Sequence, residues 1–245
     1  MNKDKCISYD DGFFYGRGCF ETILIRKEPV FLEEHLNRLN SGLMKLGIDK
    51  KICIDEVKEH ITKYNCALKI MVSEKNTVYE MRDILYGEEH YEKGFSLKLS
   101  KVMRNETSNM TYLKSFNYYD NIIEKRKASS EGFDEVIFLN TKGYIAEGAV
   151  SNIFFIKGDK IITPKVECGL LNGIIREKFV EKFKDIINES EITLKEAMEC
   201  DGAFITNSLM GIMWVNSLGR KKYQRCSLYD ELREWYNQLI KKNKE

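Results

Sequence analysis

Several features of well-known active sites are missing from this chain of 245 residues. It has only three histidines, at positions 35, 60 and 90, and no two stand at the spacing of metal ligands. A metal site or a Ser/His/Asp triad is therefore not expected. GRG at 16–18 lacks the third glycine of a dinucleotide fingerprint, and the sequence contains neither a Walker loop nor a nucleophile elbow.

Extracellular and membrane features are also missing. The seven cysteines form no CxxC pair and are odd in number, which argues against a disulfide framework or a zinc site. No apolar run approaches ~18–20 residues, and the first residues lack the apolar core of a signal peptide. We therefore expect a cytoplasmic, soluble protein with reduced thiols and no membrane contact.

The charge balance excludes another class of partner. Lys and Arg number 39 and Asp and Glu number 38, so the formal net charge is +1. Nothing in this balance predicts binding to nucleic acid or to an anionic membrane. Neither class of partner is therefore expected.

Strand and helix patterns are interleaved, which predicts an α/β (α+β) fold. In the first half, strands are predicted at 19–26, 68–73 and 95–102, and helices at 33–46 and 52–65. In the second half, helices are predicted at 117–130, 173–187 and 227–241, strands at 135–140, 203–207 and 211–216, and a hairpin over 152–164. The polar segment RNETSNMT (104–111) is the best candidate for a boundary, which predicts a small domain, 1–106, and a larger one, 107–245.

Three segments carry residue types suited to chemistry. Lys114 lies among apolar and aromatic residues, where desolvation favours the neutral amine that forms a Schiff base. Glu147 follows an apolar stretch, and a buried carboxylate needs a partner. Gly173 precedes a helix whose first N–H groups could bind a phosphate. Taken singly, each has a plainer explanation: a surface lysine, a structural salt bridge and an ordinary loop-to-helix junction.

In this order along the chain, the segments resemble a known family, the fold-type IV pyridoxal-phosphate enzymes or class IV aminotransferases. Branched-chain aminotransferase, D-amino acid transaminase and 4-amino-4-deoxychorismate lyase are members. The resemblance runs from about residue 7 to 216, and it rests on YGRGCFET (15–22), HLNRL (35–39), LKSFNY (113–118), AEGAVSNIFF (146–155) and TP…GLLNGIIRE (163–177). It implies a small-molecule substrate, two α/β domains with the active site between them, the larger domain carrying the lysine, and a homodimer.

The resemblance also implies roles for individual residues. Lys114 would hold pyridoxal 5'-phosphate as a Schiff base and shuttle the proton at the substrate α-carbon. Glu147 would keep the pyridine nitrogen protonated, which the ring needs in order to act as an electron sink, and Asn152 would support the Glu147 loop.

The phosphate would be held by several groups. Arg38 would clamp it with a bidentate fork, Ile174 and Ile175 would donate backbone N–H groups, and Ser208 would donate its hydroxyl. Tyr118 matches a tyrosine that bonds the ring oxygen of the cofactor in branched-chain aminotransferases.

Only a few positions distinguish a lyase from an aminotransferase. Thr22 matches a threonine of aminodeoxychorismate lyases, where a hydroxyl could assist proton transfer during elimination. The stretch NSLMG (207–211) is also more similar to the lyases, and Leu209 and Met210 in it are predicted to contact substrate.

Recognition of the substrate carboxylate is open, because Glu74 stands about where the family often has an arginine. Arg104 is the preferred replacement, ahead of Arg17 and Arg82. We therefore predict a lyase that releases pyruvate and 4-aminobenzoate for folate synthesis. The alternatives are an aminotransferase for branched-chain or D-amino acids, and a non-catalytic binding protein of the same fold.

Overall fold

The computed structural model describes residues 6–242, which form two compact units. The first comprises the described part of Met1–Ile84 together with Leu113–Tyr118, and the second comprises Leu85–Tyr112 and the described part of Tyr119–Glu245. This division differs from the predicted domains, 1–106 and 107–245, in two respects. The first unit's leading stretch ends at Ile84, and Lys114 belongs to the first unit rather than to the larger C-terminal one.

The first unit is an antiparallel sheet with two helices packed on one face. Its elements are α1 (Asp11–Tyr15), β1 (Gly18–Ile25), α2 (Leu32–Lys45), α3 (Ile54–Glu59), β2 (Cys66–Ser73) and β3 (Thr77–Arg82), with strand order β1-β2-β3. Leu36, Leu39 and Leu43 recur every three or four residues on α2 and are buried in one core with residues of β1 and β2. The predicted helix 33–46 is therefore confirmed, whereas α3 is shorter than the predicted 52–65 and β3 was not predicted.

Leu113–Tyr118 belongs to the first unit because it runs beside β1. The backbone N–H of Phe20 donates to the C=O of Lys114 at 2.9 Å, and the N–H of Phe116 donates to the C=O of Gly18 at 2.9 Å. Gly18 is required at this contact, since a Cβ there would stand 2.4 Å from the Phe116 ring. The backbone of Lys114 is thereby fixed against a buried strand.

The second unit contains a mixed sheet. Its elements are α4 (Glu88–Lys93), β4 (Phe95–Leu99), α5 (Tyr119–Ser130), β5 (Glu135–Leu139), β6 (Ile145–Gly148), β7 (Asn152–Lys157), β8 (Lys160–Pro164), α6 (Ile174–Lys182), β9 (Ile187–Ser190), α7 (Leu194–Met198), β10 (Gly202–Asn207), β11 (Gly211–Leu218), β12 (Lys221–Lys222) and α8 (Ser227–Lys242). The order is β6-β5-β4-β11-β10-β7-β8-β9, with β12 beside β11. β4 runs parallel to β5 and β11 while most other pairs are antiparallel, so the sheet is mixed. The interleaving of helices and strands confirms the predicted α/β (α+β) fold.

The predicted elements of the second unit are present with shifted ends. Helix α6 ends at Lys182, well before the predicted 187, because the chain turns there into β9. The run NIFFI in β7 is buried throughout, as a strand covered on both faces requires. Within residues 6–242, no helix is both long and apolar enough to cross a membrane.

Candidate active site

The amine of Lys114 lies over aromatic rings of the first unit. Its Nζ is 4.3 Å from the centroid of the Phe20 ring and 5.4 Å from that of Tyr118. The two rings meet edge to face with centroids 5.1 Å apart. The sequence prediction that Lys114 has aromatic surroundings is thus correct, and the rings come from β1 and from the segment of the lysine itself.

A second lysine shares this ring. Lys69, on β2, has its Nζ 4.9 Å from the Phe20 centroid, and its backbone pairs with Thr22 on β1. Residues paired across antiparallel strands point to the same face, as do residues two apart on one strand. Phe20, Thr22 and Lys69 therefore share one face of the sheet. Burial lowers the pKa of Lys69, and the charge of Arg82 adds to the effect.

Sequence reasoning missed Lys69. The alternation of LKIMVS in β2 places Lys69 on the face opposite the core residues Leu68 and Ile70. That alternation could have indicated that Lys69 points away from the core. Only the β1–β2 register shows that this face also carries Phe20 and Thr22.

Arg38 and His35, on α2, both bind the carboxylate of Glu21, a buried residue of β1. Arg38 Nε donates to Oε1 at 2.6 Å and Nη2 to Oε2 at 2.8 Å, and His35 Nδ1 lies 2.7 Å from Oε2. Burial acts to raise the pKa of Glu21, but the charge of Arg38 and the hydrogen bonds from Arg38 and His35 hold that pKa well below its usual range. Glu21 thus takes the Nε–Nη2 edge of the guanidinium, and the predicted fork from Arg38 to a phosphate must use another edge.

His35 is a buried imidazole with one nitrogen occupied. Its Nε2 has no hydrogen-bond partner among the described residues. Burial lowers the pKa of His35, and the positive charges of Arg38 and Lys114 act in the same direction, against the Glu21 carboxylate. The ring is therefore held neutral in the first unit.

Glu147 occupies a buried position near the end of β6 in the second unit. Its Oε2 accepts a hydrogen bond from the backbone N–H of Leu171 at 3.1 Å. Asn152 donates from Nδ2 to the C=O of the same leucine at 2.8 Å. The two side chains that the sequence analysis linked thus bind the N–H and C=O groups of one residue.

Arg104 has a partner that the sequence did not suggest. Its Nη2 lies 3.2 Å from Glu147 Oε1, and its Nη1 donates to Asn121 Oδ1 at 3.0 Å. The guanidinium carbon is 4.0 Å from the centroid of the Phe138 ring. The role of Arg104 as a ligand of the substrate carboxylate stays a prediction. In that role, the substrate carboxylate would compete with Glu147 for the guanidinium.

The predicted phosphate ligands of the second unit include a helix start and a nearby turn. Ile174 and Ile175 open α6, whose N-cap, Gly173, makes no side-chain hydrogen bond, so the first N–H groups keep their donor capacity. Ser208 is half-buried in the turn after β10. The Oγ1 of Thr206, missed in the sequence, is buried without a hydrogen-bond partner in the described part of the chain. An uncapped helix start and an unsatisfied hydroxyl are groups that a phosphate can use, so these residues fit the cofactor.

The two predicted substrate contacts near Ser208 differ in burial. Leu209 is half-buried, whereas Met210 is buried in the core of the second unit. The backbone N–H groups of both donate to Asn207 Oδ1 at 2.9 Å. The turn is thus fixed by its own asparagine.

The family model described as amino-transferase class IV matches residues 18–218. The chain belongs to the class IV aminotransferase family. Among the relatives of this class IV chain, the aminodeoxychorismate lyase of Bacillus subtilis is 31% identical over 238 residues, covering 86% of this chain and 81% of the relative. A putative branched-chain-amino-acid aminotransferase of Methanocaldococcus jannaschii is 29% identical, covering 86% and 82%.

Solved structures agree. A putative 4-amino-4-deoxychorismate lyase from Legionella pneumophila has a TM-score of 0.85 and 28% identity, with 98% of each chain covered. A hypothetical aminotransferase from Mycobacterium tuberculosis, in its PLP-bound form, has the same fold, with a TM-score of 0.84, 17% identity and coverage of 98% and 95%. The resemblance stated from the five motifs is confirmed: this class IV protein is a pyridoxal-phosphate-dependent enzyme of fold-type IV.

Proposed function

We propose that the protein is a 4-amino-4-deoxychorismate lyase that releases pyruvate and 4-aminobenzoate. The observation that carries this proposal is the lyase of Bacillus subtilis among its relatives. The hydroxyl-bearing Thr22 supports it, because it shares a sheet face with Phe20, the ring beneath the Lys114 amine.

In the first unit, we assign Lys114 to the covalent attachment of the cofactor and to proton transfer at the substrate α-carbon. Bound pyridoxal phosphate supplies a ring that withdraws electrons from that carbon. The neutral form of the Lys114 amine is the one that forms the Schiff base and can take up a proton. Thr22 would donate a proton while the substrate bond breaks, and the Tyr118 phenol would bind the ring oxygen of the cofactor.

In the second unit, we assign Glu147 to the ring nitrogen of the cofactor. Asn152 acts through Leu171, since it fixes the peptide whose N–H group binds Glu147. Ile174, Ile175 and Ser208 are assigned to the phosphate.

Arg38 is also assigned to the phosphate. Glu21 binds the Nε–Nη2 edge of its guanidinium, and this contact orients the side chain.

For the substrate we retain Arg104, Leu209 and Met210 as candidates and add Lys69. Lys69 presents a positive charge over Phe20, on the face that carries Thr22. Lys69→Met is expected to raise KM for the substrate with a smaller effect on kcat, because a lost carboxylate contact weakens binding first. An unchanged KM would remove Lys69 from the site.

An aminotransferase is the second candidate. Relatives named as branched-chain aminotransferases favour it, and Lys114 and Glu147 would serve either reaction. A non-catalytic binding protein is disfavoured by Lys114, since binding alone does not need an amine at this position.

Two assays separate these functions. In the first, purified protein loaded with pyridoxal phosphate receives aminodeoxychorismate, and pyruvate and 4-aminobenzoate are measured. In the second, it receives branched-chain or D-amino acids with 2-oxoglutarate. The lyase proposal expects turnover in the first assay. Turnover in the second alone would establish the aminotransferase, and none in either would favour the binding protein.

The attachment site is tested without substrate. Reduction with borohydride should fix the cofactor to Lys114, where peptide mass spectrometry locates it. Lys114→Ala should lose both this adduct and the yellow colour. Lys58→Ala, which removes an exposed lysine of the same unit, should keep both.

We further propose that two copies of the chain form a homodimer in the cytoplasm. Tyr9, Phe13, Phe14 and Tyr15 form a cluster of contacting rings, each 60–76% exposed, and apolar surface of this kind favours association. All seven cysteines are free, which suits a reducing compartment. Light scattering should give twice the chain mass, and Phe13→Ser with Phe14→Ser should shift the protein towards monomer.

A further inference from the structure

Glu147 has a cationic neighbour that its proposed role does not by itself explain. Arg104 Nη2 lies 3.2 Å from Glu147 Oε1, and the two side chains are only 13% and 10% exposed. The contact is one of charge: within residues 6–242, neither Nη2 nor Nε of Arg104 has a hydrogen-bond acceptor. Arg104 therefore acts on Glu147 through its positive charge, in a region with little water to screen that charge.

Contacts with groups other than Glu147 fix the position of Arg104. Its Nη1 donates to Asn121 Oδ1 at 3.0 Å, and Asn121 Nδ2 in turn donates to the C=O of Ala149 at 2.7 Å. The guanidinium carbon lies 4.0 Å from the centroid of the Phe138 ring, and the backbone N–H of Arg104 donates to the C=O of Leu139 at 2.8 Å. A solvent-exposed ion pair has no such supports, so the charge is held in place.

We propose that Arg104 is a positioning residue whose charge keeps Glu147 ionised, so that the proton shared by Glu147 and the cofactor sits on the ring nitrogen. The inference rests on the proposed role of Glu147. It is an alternative to the predicted role of Arg104 as a ligand of the substrate carboxylate.

The reason lies in the competition between two bases for one proton. A buried carboxylate beside a pyridine nitrogen can take the proton itself, which leaves two neutral groups and avoids the cost of buried charge. A cation next to the carboxylate reverses this preference, because it stabilises the anion. The N–H group of Leu171 on the other oxygen of Glu147 acts in the same sense. Only a protonated ring withdraws electrons strongly.

The test measures the protonation of the ring nitrogen directly. Wild type and variants are loaded with pyridoxal phosphate carrying ¹⁵N in its ring, and the nitrogen chemical shift is measured. Wild type should show a protonated nitrogen. In Arg104→Gln the ratio of the ring-protonated form to the carboxylate-protonated form should fall about tenfold or more. A tenfold fall corresponds to a change of about one in the pKa difference between the two groups. Arg104→Lys keeps the charge and should stay close to wild type.

Lys127→Gln is the matched control. It removes a positive charge and an ion pair with Glu124, 2.8 Å long, from the same unit. Glu147 is not part of that pair, so the nitrogen signal should not move.

The outcomes separate this inference from the proposed function. If Arg104→Gln folds, as circular dichroism reports, and keeps the wild-type nitrogen shift, the inference is overturned. If Glu147→Gln also leaves the shift unchanged, the role of Glu147 fails as well. Should Arg104→Gln not fold, Asn121→Ala loosens the guanidinium instead, and an unmoved nitrogen signal in that variant counts against the inference.

Discussion

Glu21→Gln is expected to destabilise the protein by about 3 kcal/mol. Glu21 is fully buried and binds Arg38 through two hydrogen bonds and His35 through one. Leaving a buried charge without its partner costs ~3–5 kcal/mol. The low end applies because the Arg38 side chain keeps 20% of its surface in water and the amide oxygen can still accept one bond.

Urea unfolding followed by circular dichroism measures this loss. Glu80→Gln is the control, since it makes the same chemical change in a surface pair with Arg82, in which the carboxylate is 43% exposed. Exposed pairs contribute ~0–1 kcal/mol. A Glu21→Gln protein within ~1 kcal/mol of the Glu80→Gln protein would show that the buried cluster does not hold the first unit together.

The same variant has a functional readout. Without the carboxylate, the guanidinium of Arg38 loses the edge that orients it. Affinity for pyridoxal phosphate should then fall, while affinity for pyridoxal, which has no phosphate, should change little. An equal loss for both compounds would argue that Arg38 does not meet the phosphate.

Three further predictions concern single residues. The pKa of His35 is lowered on folding, so the unfolded chain protonates first, and stability should fall as pH drops below ~6.5; in urea titrations this loss should vanish in His35→Gln and persist in His60→Gln. Gly18→Ala should push a methyl group into Phe116, 2.4 Å away, and reduce cofactor occupancy measured by absorbance. Four hydrogen bonds outweigh burial and lower the pKa of Asp10 to about 2, so Asp10→Asn should cost about 2 kcal/mol near neutral pH, and the difference from wild type should shrink as pH falls from ~4 towards ~2.

The local patterns predicted the long elements well. The leucines of α2 recur at helical spacing and β7 is a short continuous apolar run, so helix and strand could be assigned without knowledge of the fold. Short elements such as β3, β9 and α7 were missed, because four to six residues carry too little pattern to distinguish a strand or helix from a loop.

The candidate site was predictable only where a motif names the residue. Lys114, Glu147 and Arg38 were named through motifs of the family, whereas Lys69 was missed and the pairing of Arg104 with Glu147 was not foreseen. Lys69 shares a ring with Lys114 because of the β1–β2 register, and Arg104 meets Glu147 across 43 positions of sequence. Contacts of this kind depend on tertiary structure, and a single sequence does not encode them in any local signal.

The order in which the chain visits its two units affects any attempt to dissect the enzyme. A fragment that stops at Ile84 would retain the β1–β2–β3 sheet but lack Leu113–Tyr118, and with it the lysine proposed to hold the cofactor. A fragment that starts at Leu85 would carry that lysine without the strand that fixes its backbone. Transplanting the lysine into a hybrid enzyme therefore requires two separate stretches of polypeptide to be exchanged together.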